Sequence, residues 1–173
     1  ANDRVIHLAC WAHVRRKFEH ALNNNKEIAE HVLLEIQKLY SIERKTKELS
    51  ADERKELRLN EALPIINELG KYLGHKRNLV LPTSKIGKAI TYTTNLWSSL
   101  QNYLYDVNLQ IDNNLIENKI RPIALGRKNY LFAGSHNGAD RSAMFFSFFS
   151  CCKLNNINPK KWMDYVLANI ADY

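Results

Sequence analysis

Glu117 stands in the stretch IDNNLIENKIRP, residues 111–122, among the amides Asn113, Asn114 and Asn118, and the only charges that follow Asp112 besides it are Lys119 and Arg121. With a helix beginning after Asp112, residues Asn113, Asn114, Glu117 and Arg121 recur at three- and four-residue spacing and share a face. A hard carboxylate near a helix start can bind a divalent cation beside a phosphate backbone, with Asn and Arg holding the anion. The plainer alternative is a surface Glu paired with the Arg four residues on, worth a few tenths of a kcal/mol. One carboxylate cannot hold a pair of catalytic metal ions. Its partners must come from elsewhere in the fold.

A second signal is cationic. Lys119, Arg121, Arg127 and Lys128 fall close together and are followed by Asn129, Tyr130 and Phe132. Cations interleaved with amides and aromatics suit phosphate contact plus base stacking; the alternative is a solvated face whose Tyr130 and Phe132 serve the core. HVRRKF, with Arg15, Arg16 and Lys17, repeats the theme near the front of the chain. The formal charge of +7 over 173 residues favours a polyanionic partner such as nucleic acid. Cys10 and His13 have a zinc-like spacing but lack a matching second pair, so packing explains them. Glycine-rich phosphate loops are absent, since LGRKN and AGSHNG fit neither nucleotide-binding spacing. Three cysteines, two of them adjacent, do not form a disulfide framework and fit a reducing cytoplasm. The longest uncharged apolar run, SAMFFSFFSCC, is too short for a membrane span.

These residues need elements to position them. RVIHLACW reads as a buried β-strand with no neighbouring strand pattern, and its open edge predicts association at high concentration. Ile28, Val32, Ile36, Leu39 and Tyr40 mark one face of a helix. Ser50 with Glu53 is a capping box for a helix from Ala51 that kinks or breaks at Pro64 and stops near Gly74. HKRNLVLPTSK is a loop, and Ile86, Ile90, Leu96, Trp97, Leu100 and Leu104 mark one more long helix. Asp112 sits where an N-cap belongs, and Pro122 disfavours helix at Arg121 or kinks it. RKNYLFAGS has a short extended look, GADRSAMFFSFFSCCKL reads as a buried helix, and Asn158-Pro159 opens a last helix that buries Trp162, Val166 and Ile170. The predicted class is mainly α with a small β contribution.

CWAHVRRKF (10–18), LYSIER (39–44), SKIGKAITY (84–92), IDNNLIEN (111–118), RPIALGRKNYLFAGS (121–135) and KLNNINP together resemble the insertion-sequence-66 group, a branch of the DDE transposases. The resemblance implies the C-terminal part of a ribonuclease-H-like α/β core interrupted by an all-helical insertion. Its segments would be a last core strand and helix at 1–21, the insertion at 22–110, and core helices at 111–173 carrying the final acidic residue. It implies that Glu117 is the last carboxylate of the acidic triad and a ligand for Mg²⁺ or Mn²⁺. On charge and clustering, Arg15, Arg16, Asn114, Lys119, Arg121, Arg127 and Lys128 are the residues expected to face DNA. In such proteins the two Asp residues precede CWAH, so this chain is expected to lack them, to be inactive alone and to hold no metal tightly. The complete protein would cleave and join DNA strands at insertion-sequence ends as a homo-oligomer in the bacterial cytoplasm, associated with the nucleoid and with no membrane partner. The rival class is a non-catalytic basic helical DNA-binding domain, in which Glu117 merely pairs with Arg121.

Overall fold

The computed structural model describes residues 6–172. Its helices are α1 (Trp11–Glu19), α2 (Lys26–Lys45), α3 (Ala51–Leu57), α4 (Leu63–Arg77), α5 (Lys85–Asn95), α6 (Trp97–Gln101), α7 (Asn114–Tyr130), α8 (His136–Leu154) and α9 (Pro159–Asn169). Among the described residues there is no strand, so the expected β contribution and the ribonuclease-H-like α/β core are not found. The reason is visible at the front of the chain. Cys10 is extended, at φ −104° and ψ 119°, but no second extended segment lies beside residues 6–10. The Ala9 N–H instead bonds the Ser99 carbonyl at 3.2 Å, the Trp11 N–H bonds that of Ile111 at 3.2 Å, and the Asn102 amide donates to the His7 carbonyl at 2.8 Å. Single bonds to helix ends and loops hold this segment, and no ladder forms. The expectation of strand-edge association falls with the strand; Arg4 and Val5 of that predicted strand lie outside the described residues.

The chain divides into two compact units, Ala1–Asn113 and Asn114–Tyr173. In the first, the apolar spacing does what amphipathic helices require. Trp11, Val14, Phe18 and Ala21 meet Ile28, Val32, Ile36, Leu39 and Ile42 of α2, and Ile66, Leu69, Leu73, Ile90, Leu100 and Leu104 complete one core. The Trp11 indole N–H reaches the Leu100 carbonyl at 3.0 Å, satisfying the one polar atom that this buried ring carries.

Ser50 and Glu53 form the predicted capping box: the Glu53 N–H donates to the Ser50 hydroxyl, and the Glu53 carboxylate accepts from the Ser50 N–H at 2.9 Å. Bonds from the Ser50 hydroxyl and N–H hold the Glu53 carboxyl below its ordinary range. The α-helical run from Ala51 is interrupted just before Pro64, and α4 continues past Gly74 to Arg77. A π-turn over Arg58–Ala62 lies just ahead, with the Leu63 N–H bonding the Arg58 carbonyl, so Pro64 falls in the first turn of α4, where its missing N–H costs least.

The single long helix expected from Ile86 to Leu104 is interrupted at Leu96, giving α5 and α6. At the start of α5 the chain doubles back tightly. A Cβ on Gly87 would collide with the Leu81 carbonyl oxygen and press on the Pro82 backbone. Gly87→Ala is therefore expected to cost about 1–3 kcal/mol through backbone displacement, measured as a fall in the urea midpoint with an unchanged slope.

The second unit holds α7 to α9. Pro122 lies inside α7, and Arg127–Tyr130, expected to be extended, form its last turn. Leu131 then takes a left-handed conformation at φ 58°, followed by Gly134 at φ 79°. Ser135 caps α8 and Asn158 caps α9, the latter through its side-chain oxygen accepting from the N–H groups of Lys160 and Lys161. The two helices meet where Trp162 stacks on Phe148 at 5.2 Å and edges Phe149 at 6.5 Å. α8 is not the buried helix expected, and of the residues α9 was expected to bury, Trp162 and Val166 are half-buried. Cys152 is the one buried residue among the described residues of this unit, Met144, Phe145 and Phe148 are exposed, and so is Ile170.

Candidate functional site

The loop ahead of α7 is fixed from the inside of the first unit. Arg58, only 1 % exposed, donates to the Glu43 carboxylate through Nε at 2.9 Å and Nη2 at 2.8 Å. Its other N–H groups bond the carbonyls of Tyr103 at 2.8 Å, Asp106 at 3.0 Å and Leu109 at 3.0 Å. Arg54 adds a bond to the Val107 carbonyl at 3.2 Å. One guanidinium thus gathers the backbone of residues 103–109, a bidentate use of the planar fork that a lysine could not reproduce. Nothing in the helical periodicity around Arg58 announces this role.

α7 begins at Asn114, one residue later than an N-cap at Asp112 predicts. The Asp112 carboxylate accepts the Tyr40 hydroxyl at 2.8 Å. Burial, and then that hydrogen bond, push the Tyr40 hydroxyl far above the ordinary tyrosine range, so Tyr40 stays a neutral donor. The first unit therefore holds the chain at Asp112, two residues before α7 starts.

Along α7 the helix is continuous from Asn114 to Tyr130, which decides the company that Glu117 keeps. At about 100° per residue, Asn114, Glu117, Arg121 and Lys128 fall within an arc of roughly 60°, spread over about 21 Å of helix. Lys119 and Arg127 point to other sides. Glu117 is half-buried, while Asn114, Arg121 and Lys128 are exposed.

The two remaining expected DNA contacts lie on α1, in the other unit. Arg15 is paired with Glu19 at 3.0 Å, and Arg16 is exposed. Among the described residues no three His, Cys, Asp or Glu side chains converge as a metal site. The donor set on α7 is one hard carboxylate with an amide oxygen one turn before it. That fits one side of a divalent cation's shell and falls short of a complete one.

The sequence profile described as "Transposase IS66 family" matches residues 1–141. The chain is 34 % identical over 177 residues to "Uncharacterized protein y4hP" of Sinorhizobium fredii, covering 95 % of this chain and 32 % of the relative. It is 32 % identical over 174 residues to "Uncharacterized protein y4jD" of the same organism, covering 99 % and 34 %. A shorter match, 37 % over 41 residues, joins it to "Uncharacterized protein YuaK" of Escherichia coli. The chain thus spans about a third of the length of the first of these relatives. No solved structure matches it.

Proposed function

We propose, from the premise that the chain belongs to the IS66 transposase family, that Glu117 supplies one carboxylate ligand to a divalent cation in a DDE-type strand-transfer site. The observation that supports this is the α7 face, where a half-buried carboxylate lies in register with an amide and two exposed cations. Asn114 lies about one turn before Glu117, within reach of the same ion. Arg121 and Lys128 hold phosphate oxygens, Arg121 by its fork and Lys128 as a point charge. The cation, Mg²⁺ or Mn²⁺, supplies Lewis-acid stabilisation of the phosphodiester when bound. Among the described residues no further His, Cys, Asp or Glu side chains converge as a metal site, so this chain alone is expected to be inactive. In the complete protein the partner is DNA, at the element's ends and at its target, handled by a homo-oligomer in the bacterial cytoplasm at the nucleoid. Among the described residues no helix is long and apolar enough to cross a membrane.

The test uses the complete protein and labelled element-end DNA. Strand cleavage and joining are expected in Mg²⁺, to vanish in EDTA, and to return on adding Mg²⁺ or Mn²⁺. Joining that persists in EDTA would overturn the reading, and a complete protein that binds DNA without ever cutting it would favour the DNA-binding domain.

A further inference from the structure

Charge is sorted within the first unit. Residues 69–105 contain no Asp or Glu yet carry Lys71, Lys76, Arg77, Lys85 and Lys88. Many of the unit's carboxylates lie on α2 and its neighbours, where they are spent on local pairs: Glu30 with Lys26, Glu35 with Lys38, Glu43 with Arg58, Glu61 with Lys45 and Glu27 with Lys76. Acid-free α5 lies against α1. The two run antiparallel, as contacts along them and just beyond their ends show: Trp11 meets Trp97 of α6 at 6.1 Å, the Lys17 ammonium stands 5.3 Å from the Tyr92 ring centre, and the side-chain oxygen of Asn24, past the end of α1, accepts the Ile86 N–H at 3.0 Å.

Lys85, Lys88 and Tyr92 are spaced i, i+3 and i+7, so they share one face of α5, and Lys17 joins that face across the helix pair. Arg16, Lys17, Lys85 and Lys88 are all exposed, and among the described residues none of them has a carboxylate partner. Uncompensated like charges on adjacent helices repel one another and focus a positive potential. A phosphate backbone relieves that repulsion by exchanging its condensed counterions for the lysines. An acidic protein segment would also be attracted, but duplex DNA is the polyanion that a transposase must hold.

We propose that the paired faces of α1 and α5, with Arg16, Lys17, Lys85 and Lys88, form a docking surface for the phosphate backbone of duplex DNA. This surface is carried by a different unit from Glu117. It rests on the family's handling of DNA and not on the metal-ligand role of Glu117.

The test is fluorescence anisotropy of the full chain with a labelled duplex across a salt series, for the parent and for Lys17→Ala/Lys85→Ala/Lys88→Ala, with circular dichroism confirming equal helicity. Each lost phosphate contact removes about 0.9 from the slope of log K against log salt, so the triple variant is expected to lose roughly 2.7. Over about a fourfold rise in salt the parent then weakens roughly 40-fold more than the variant. An unchanged slope, or no binding by the parent at low salt, overturns the surface. Displacement of the duplex by polyglutamate as readily as by unlabelled duplex overturns its assignment to DNA. The slope is read on duplex binding and the metal reading on strand joining, so failure of the metal reading and failure of this surface give separate results.

Discussion

Arg58→Ala is expected to lower the unfolding free energy of the chain's first unit by about 3–5 kcal/mol, because it leaves a largely buried Glu43 carboxylate and three inward carbonyls without their donor. A guanidinium closed off from water is not worth that much as a net attraction, since its own desolvation offsets most of the pairing. The loss comes from stranding its partners. Tyr103 lies under the same group, its ring centre 5.2 Å from the guanidinium, so truncation also opens space beside a buried ring. Arg58→Lys restores the charge without the fork and recovers only part of the loss. Glu43→Gln, which keeps the shape and one acceptor, should be milder than Arg58→Ala. Urea titration by far-ultraviolet circular dichroism gives the comparison, and an Arg58→Ala loss below about 1 kcal/mol would refute the argument.

Glu117→Gln in the complete protein is expected to abolish strand joining while leaving DNA affinity at or above the parent's. Glutamine keeps the length and one oxygen but removes the charge that a divalent cation requires of a hard ligand. Losing the cation's share of charge stabilisation removes several kcal/mol from the transition state, which is a rate change of several powers of ten. Binding survives because the carboxylate repels phosphate, and its removal relieves that repulsion. Arg121→Ala should behave differently, weakening binding and flattening its salt dependence by about one contact. In this chain alone Glu117→Gln should shift stability by less than roughly 1 kcal/mol. Parent-rate joining by the Gln variant in Mg²⁺ ends the catalytic role of Glu117.

Elements that announce themselves locally were legible in the sequence. The capping box at Ser50 and Glu53, the Asn158-Pro159 start and the stripe from Ile28 to Leu39 all arise within one or two helical turns, and the structure has each of them. What depends on distant partners was not legible. RVIHLACW has strand composition, but a strand exists only if another lies beside it, and carbonyls of a helix and a loop took its N–H groups. The buried Arg58 is a side chain of helix-forming type whose five donors find acceptors 15 to 51 residues away, a convergence that no spacing rule encodes. Pro122 left two readings open, a helix end at Arg121 or a continuation through it, and α7 takes the second. At the candidate site the face shared by Asn114, Glu117 and Arg121 was predictable from periodicity. The addition of Lys128 to that face followed only once the helix proved continuous past Pro122.

The bare aromatic flank of α8 has a consequence for the protein's solubility. Met144, Phe145 and Phe148 lie open on one helix, and Leu154 follows at its end. Exposed apolar side chains of this kind feed aggregation, and molecules that show them are triaged by chaperones and proteases. In this chain the flank is expected to favour self-association, read as a loss of soluble material as concentration rises. Met144→Ser, which leaves the Phe148–Trp162 stack in place, is expected to raise the solubility of this chain.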